Sequence, residues 1–277
     1  MGLLRGEGAP RMVHYGASFG AALEVGLTCG GEIDVWLRRH DPTSAAWKGV
    51  CALGPASRAV LLTELAGDSR QVLLAPGEAP PEGLEEALKV LWTRGGVQKI
   101  AADGTKWLAE TIEPDPHVLV VGASPISMAL CELGTRTGFR VSIVDPRRDF
   151  ARTELFPAAE AVVHRWPEEG LAEAGLDARS YVAVVAHDAK LDVPALSAAL
   201  RAGARYIGLL GSAGTQADRR GQLAEAGFAP EEIARIRGPI GLKSIGALDP
   251  AEIAVAILAE LIMARRGKLE PGGAMAP

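Results

Sequence analysis

A chain of 277 residues, 48% of them hydrophobic, is long enough for about two domains and able to bury a sizeable core. A formal net charge of −5 and the lack of a basic tract exclude nucleic acid and anionic membrane surfaces as partners recruited by charge. Three widely spaced cysteines, Cys29, Cys51 and Cys131, make no disulfide framework and fit a reducing cytoplasm.

Residues 11–15 read as a short strand, and 24–27 and 32–38 as two strands joined by Thr28-Cys29-Gly30-Gly31. A cysteine beside two glycines at a turn is a first site candidate. Glycines let a ligand approach the backbone, and free N–H groups lower a thiol pKa. The plainer reading is a small buried residue in a hairpin. Segments 60–65 and 71–75 read as strands, and 82–92 as an amphipathic helix with Leu84, Leu88 and Leu91 on one face. Segments 98–101 and 106–110 form a hairpin around Asp103-Gly104. Glu113-Pro114-Asp115-Pro116 marks a domain boundary, leaving residues 1–116 as a small β-rich α+β domain.

The second part is organised around 118–145. Val118-Leu119-Val120-Val121 suits a parallel strand buried on both faces. Gly122 allows a sharp turn, and a helix from Pro125 would aim its free N–H groups at a phosphate. Segment 140–144 is the next strand. Asp145 ends it, 145 − 122 = 23 residues past the glycine, where such folds hold a ribose hydroxyl. The dinucleotide pattern G-x-G-x-x-G reads here Gly122-x-Ser124-x-x-Ser127, which leaves NAD(P) open as a ligand. Arg147 and Arg148 follow closely; arginine there takes a phosphate or carboxylate bidentately, or is simply solvated.

Further strands are expected at 161–164, 181–187 and 205–210, the last two followed by His187-Asp188 and Gly211-Ser212. Helices are expected at 194–202, 215–226 (a surface helix carrying Arg219 and Arg220) and 230–236. Residues 237–246 are too glycine-rich for a regular element. Asp249 as N-cap, Pro250 and Glu252 open the clearest helix through a capping box, and Gly267 ends it. Its apolar run, 253–264, contains Glu260 and is about half a membrane span. The tail, 268–277, is expected to be disordered. Alternating strands and helices imply an α/β fold over 117–267, a Rossmann-like doubly wound parallel sheet. Gly122, Asp145, His187 and Gly211 all fall at strand carboxyl ends, where open parallel sheets bind ligands.

Three segments in order carry a closer resemblance: Gly26-Leu27-Thr28-Cys29-Gly30-Gly31, then Tyr206-Ile207-Gly208-Leu209-Leu210-Gly211-Ser212, then Gly238-Pro239-Ile240-Gly241-Leu242 with Ile245-Gly246-Ala247 leading into Pro250-Ala251-Glu252-Ile253-Ala254 and Ile257-Leu258-Ala259-Glu260. Together with Val144-Asp145-Pro146-Arg147 and His187-Asp188 they are similar to the XdhC/CoxI family over roughly 15–40 and 117–267.

The resemblance implies an accessory protein rather than an enzyme. It would bind molybdenum cofactor (molybdopterin), support its sulfuration with a cysteine desulfurase, and hand it to the large subunit of a xanthine dehydrogenase-type molybdenum hydroxylase. A cytoplasmic homodimer is implied as well. On this resemblance Cys29, in its turn with Gly30 and Gly31, is a soft ligand for molybdenum. The helix start after Gly122, with Ser124 and Ser127, takes a phosphate. Asp145 and Arg147 hold a polar edge, and His187, Asp188, Gly211 and Ser212 line the same crevice. The chain departs from the family at Ser124 and Ser127, which replace glycines, at Ala186 where threonine is common, and at Ala213 where arginine often follows. Related sequences also begin upstream, so a shortened amino-terminal domain is expected. The alternatives are an NAD(P)-dependent oxidoreductase with His187 as acid/base and a nucleotide-sensing domain.

Overall fold

In the computed structural model, which describes residues 9–15, 32–54 and 57–269, the chain divides into two units, Met1–Pro114 and Asp115–Pro277. The expected strand at 24–27 and the Cys29-Gly30-Gly31 turn lie outside the described residues.

In the first unit β1 (Arg11–Tyr15) pairs antiparallel with β2 (Ile33–Leu37). A short helix, α1 (Ala45–Cys51), follows, with Ser44 Oγ accepting the Trp47 N–H at 3.2 Å. The sequence reading has no helix here, because seven residues containing Gly49 carry little periodicity. Then come β3 (Ala59–Glu64), β4 (Gln71–Leu74), α2 (Glu85–Arg94), β5 (Val97–Ala102) and β6 (Thr105–Ile112). The four strands form an antiparallel sheet in the order β4-β3-β6-β5. Leu84, Leu88 and Leu91 cover one side of it, against Val60, Leu62 and Trp107. Asp103 and Gly104 both take positive φ (49° and 76°), the turn geometry whose twist matches a hairpin.

The second unit runs β7 (His117–Val121), α3 (Pro125–Arg136), β8 (Arg140–Val144), β9 (Ala161–Val163), α4 (Pro167–Glu173), β10 (Tyr181–Val184), α5 (Ala189–Arg201), β11 (Tyr206–Leu209), α6 (Ala213–Glu225), α7 (Pro230–Ile233), β12 (Ile236–Arg237) and α8 (Pro250–Arg265). Its six strands are parallel, in the order β12-β11-β10-β7-β8-β9. The order of connection reverses between β7 and β10, which makes that junction the switch point of a Rossmann-type sheet. Alternate side chains of β7 enter opposite cores. Val118 and Val120 pack with residues of α3 and α8, such as Leu130, Ile257 and Leu261. Leu119 and Val121 pack with Leu171, Leu196 and Leu223. Burial on both faces is what the unbroken apolar run specifies. Among the described residues no helix is long and apolar enough to cross a membrane.

The sequence reading is corrected at three places. Helix α5 starts at Ala189 rather than 194. Asp188 caps it upstream, and Pro194 sits inside the helix without ending it. Arg219 and Arg220 do not form a solvated face: Arg219 Nε donates to the buried Asp192 at 3.1 Å, and Arg220 donates to the carbonyls of Ile233 (3.0 Å) and Ile236 (2.7 Å). The start of the 237–246 segment is regular after all. Ile236 and Arg237 pair with Ile207 and Gly208 as the sixth strand. At Asp249 the expected capping box is found: Asp249 is the N-cap of α8, and Glu252 reaches back, its Oε2 accepting the N–H groups of Leu248 (2.9 Å) and Asp249 (3.2 Å).

The glycine-rich loop after β12 is anchored on α8. Gly241 has φ +97°, and a Cβ there would meet the backbone N of Ile257 at 3.2 Å. Glu260, 4% exposed, accepts from Arg237 Nε at 2.7 Å and from the Gly241 N–H. Burial pushes the phenol of the neighbouring Tyr206 well up, and Glu260 adds to the shift. Glu260→Ala removes the carboxylate that accepts from the nearly buried Arg237 guanidinium and from the Gly241 N–H. The expected loss is about 3 kcal/mol, read as a lower denaturant midpoint; an unchanged midpoint would show that the ion pair does not hold the loop.

Candidate cofactor site

The carboxyl ends of the central strands are level. Val121 pairs with Val144 on one side and Val184 on the other, and Val184 pairs with Leu209. The residues that follow therefore meet along one edge of the sheet.

Gly122 comes first, with φ +103°. Its N–H donates to Val144 O at 3.0 Å. A Cβ at this position would lie 2.6 Å from Ala186 Cα and 2.7 Å from Ala186 N. The glycine is thus required by the approach of two strand-end loops as much as by its φ. Ser124 then caps α3 and accepts the Ser127 N–H at 3.3 Å. Ser127 is wholly buried, and its hydroxyl donates to the Gly122 carbonyl. A hydroxyl has one proton, so in the 3.0 Å contact between the two serine oxygens Ser124 is the donor. The expectation that either hydroxyl meets a phosphate is corrected for Ser127, which points inward to brace the turn. Ser124 remains, half-exposed at the helix start.

Asp145 is completely buried. It accepts the Ala123 N–H at 2.7 Å, the Arg147 N–H at 2.9 Å, and Arg147 Nε and Nη2 at 2.9 and 2.7 Å. Burial alone would raise its pKa, but the hydrogen bonds from Arg147 and the two backbone donors outweigh it and hold the carboxyl below its ordinary value. Four donors leave little of this carboxylate for a ribose diol. The expectation that Asp145 and Arg147 hold a ligand edge together is corrected in this sense: the first grips the second. Arg147 is in turn fixed over the Phe150 ring, 4.8 Å from its centroid, with its side chain 39% exposed.

Across the switch point, His187 is exposed with φ +58°, a conformation costly for a residue with a Cβ. Asp188 caps α5, accepting the Lys190 N–H at 3.0 Å, and its charge acts on Arg147. Gly211, with φ +137°, precedes Ser212, which caps α6 by accepting the Thr215 N–H at 3.3 Å. The edge therefore offers two serine-capped helix starts, at α3 and α6, and one start already occupied by a carboxylate, at α5. With Arg147 it is suited to an anion on the α3 side.

Among the described residues no group of three or more His, Cys, Asp or Glu side chains is placed to hold a metal. Cys131 is buried, which pushes its thiol up to about 11. A groove of about 780 Å³, lined in part by Met128, Glu132 and Phe156, runs along the outer side of α3 and touches the edge only at Pro125. Sequence reasoning missed the structural part played by Glu260; a lone acid inside an apolar helical run was the available signal.

Residues 118–261 match the XdhC Rossmann domain. The chain belongs to the XdhC family. Among its relatives in that family, a protein of Bacillus subtilis (strain 168) described as a probable subunit of xanthine dehydrogenase is 33% identical over 162 residues, 58% of this chain and 47% of that protein. The molybdenum cofactor insertion chaperone PaoD of Escherichia coli (strain K12) is 31% identical over 152 residues, 55% of this chain and 41% of its own. The matches take in less than half the length of either relative. A crystal structure of a xanthine dehydrogenase from Bacillus halodurans shares the fold, with a TM-score of 0.65 over 96% of this chain and 78% of that one at 22% identity.

Proposed function

We propose that this chain binds molybdenum cofactor at the β7–β10 switch point and delivers it to the large subunit of a xanthine dehydrogenase-type molybdenum hydroxylase, with a cysteine desulfurase as a further partner. Family membership and the likeness to an insertion chaperone support the cofactor class. The observation that carries the reading is a phosphate cradle without a free ribose-accepting carboxylate: Ser124 and the α3 start face the edge while Asp145 is saturated.

The donor set fits the phosphate arm of the cofactor. The Ile126 N–H, next after Pro125 at the start of α3, would hold that arm, and Ser124 would add its hydroxyl proton by turning it away from Ser127. Arg147, held in place by Asp145, adds a fixed positive charge at little entropic cost. Once handed on, the cofactor supplies the redox-active molybdenum centre of the hydroxylase. Cys29 is proposed as a thiolate contact for the metal on its sequence pattern alone.

Delivery is tested by mixing cofactor-loaded protein with apo-hydroxylase. Activation should exceed that given by an equal amount of free cofactor. Equal activation would contradict delivery.

The exposed, left-handed His187 favours a second reading, an NAD(P)-dependent oxidoreductase. NADH or NADPH turnover that disappears in His187→Ala would reverse the ranking.

A further inference from the structure

Arg147 is held more closely than a contact to a phosphate requires. Its guanidinium is locked along one edge, Nε and Nη2 donating to the buried Asp145 at 2.9 and 2.7 Å. One face of the plane rests on the Phe150 ring, 4.8 Å from the centroid. Phe150 is 56% exposed and is no part of the core, so its ring serves the guanidinium instead. The loop fixes that ring in turn. The N–H groups of Phe150 and Ala151 both donate to the Arg147 carbonyl at 3.1 Å, and Ala151 is wholly buried. Asp145 and Phe150 leave the opposite face of the plane and the Nη1 edge as the open sides of a side chain that is 39% exposed.

The same plane is tied to the anion site. Asp145 Oδ2 accepts both Arg147 Nη2 and the Ala123 N–H, each at 2.7 Å. Ala123 directly precedes Ser124, the N-cap of α3. One oxygen therefore sets the guanidinium against the helix start. A bare positive charge for a phosphate needs no fixed plane, and a lysine would supply it. A plane held flat beside an anion site suits a ligand with a flat ring close to its phosphate, because guanidinium planes stack on heteroaromatic rings. We infer that the open face of Arg147 is the seat of the flat aminopyrimidinone ring of the pterin, so that Phe150, Arg147 and the ring lie in three layers. The inference rests on the reading of the α3 start as the phosphate site. With the phosphate at that start, the ring comes to lie over the loop that follows β8.

Equilibrium dialysis of the full chain against 6-hydroxymethylpterin phosphate and glycerol phosphate tests this. Both probes carry a phosphate on a short carbon arm and only one carries the ring, so the ratio of their affinities isolates the ring. The parent should prefer the pterin by about 10-fold or more. Arg147→Lys keeps the charge and loses the plane, and should bring the ratio to within about 2-fold of unity. Phe150→Leu leaves the Asp145 bonds in place and should lower the ratio by about 3-fold. Melting curves check that both variants are folded. A preference that survives in folded Arg147→Lys would overturn the inference. CMP bound as tightly as the pterin phosphate, and weakened as much by Arg147→Lys, would overturn it too, by giving the face to a nucleobase. If the parent binds both probes alike and Ser124→Asp weakens both, the stacking fails while the phosphate reading stands. If neither probe binds the parent, that reading fails with it.

Discussion

Gly122→Ala is expected to lower the stability of the second unit by about 3 kcal/mol and its melting temperature by roughly 6–12 °C. Two causes combine. The residue has φ +103°, which a side chain tolerates poorly, and the new Cβ would fall 2.6 Å from Ala186 Cα. That neighbour is backbone and has no flexible end to swing aside. The collision lies at the junction of β7 and β10, so relief requires the two central strand ends to part. Ligand binding at the sheet edge should be lost with the geometry. Calorimetry of the variant checks the stability claim; a melting temperature within a degree or two of the parent would show that the loops are not in contact.

Asp145→Asn should cost about 2 kcal/mol near neutral pH. The change keeps the shape and an acceptor for the Ala123 N–H, but it removes the charge that holds Arg147 and offers an amide where Arg147 needs oxygen. The figure is moderated because the Arg147 side chain is 39% exposed. The pH dependence follows from the direction of the shift. A carboxyl whose folded pKa is depressed adds stability in full above its unfolded value, near 4, and loses it as pH falls through the folded value. The parent should therefore weaken on acidification below about pH 4, and the variant should lack that part of the loss. Parallel curves for the two proteins down to low pH would mean that Asp145 carries no linked proton. Freed from its anchor, Arg147 should also hold an anion less well, by roughly tenfold.

Much of this architecture is written locally. The apolar run at 118–121 marks a strand buried on both faces. Asp103-Gly104 marks its hairpin because few dipeptides accept two positive φ values. Gly122, Asp145, His187 and Gly211 come together because each follows a strand of one parallel sheet. What sequence could not show is where side chains spend their hydrogen bonds. Ser127 and Asp145 sit where a dinucleotide fold would use them on a ligand, yet both serve the turn instead. Arg219 and Arg220 look like a solvated pair and cap buried groups contributed by α5 and by the segment from α7 to β12. The sixth strand is two residues long, too short for any pattern, and exists because β11 offers it an edge. Pro194 suggests a helix start, but the Asp188 cap acts earlier and prevails.

We propose above that the α3 start holds the phosphate of molybdenum cofactor. Ser124→Asp tests it most directly. Aspartate caps helices as well as serine does but cannot donate to Ser127 as Ser124 does, so the melting temperature should fall by a few degrees at most, while a negative charge is placed where the phosphate would sit. Titration with purified cofactor should show the parent binding and the variant binding roughly 100-fold more weakly, with NADH and NADPH weak against both. Equal cofactor affinity in parent and variant would contradict the account.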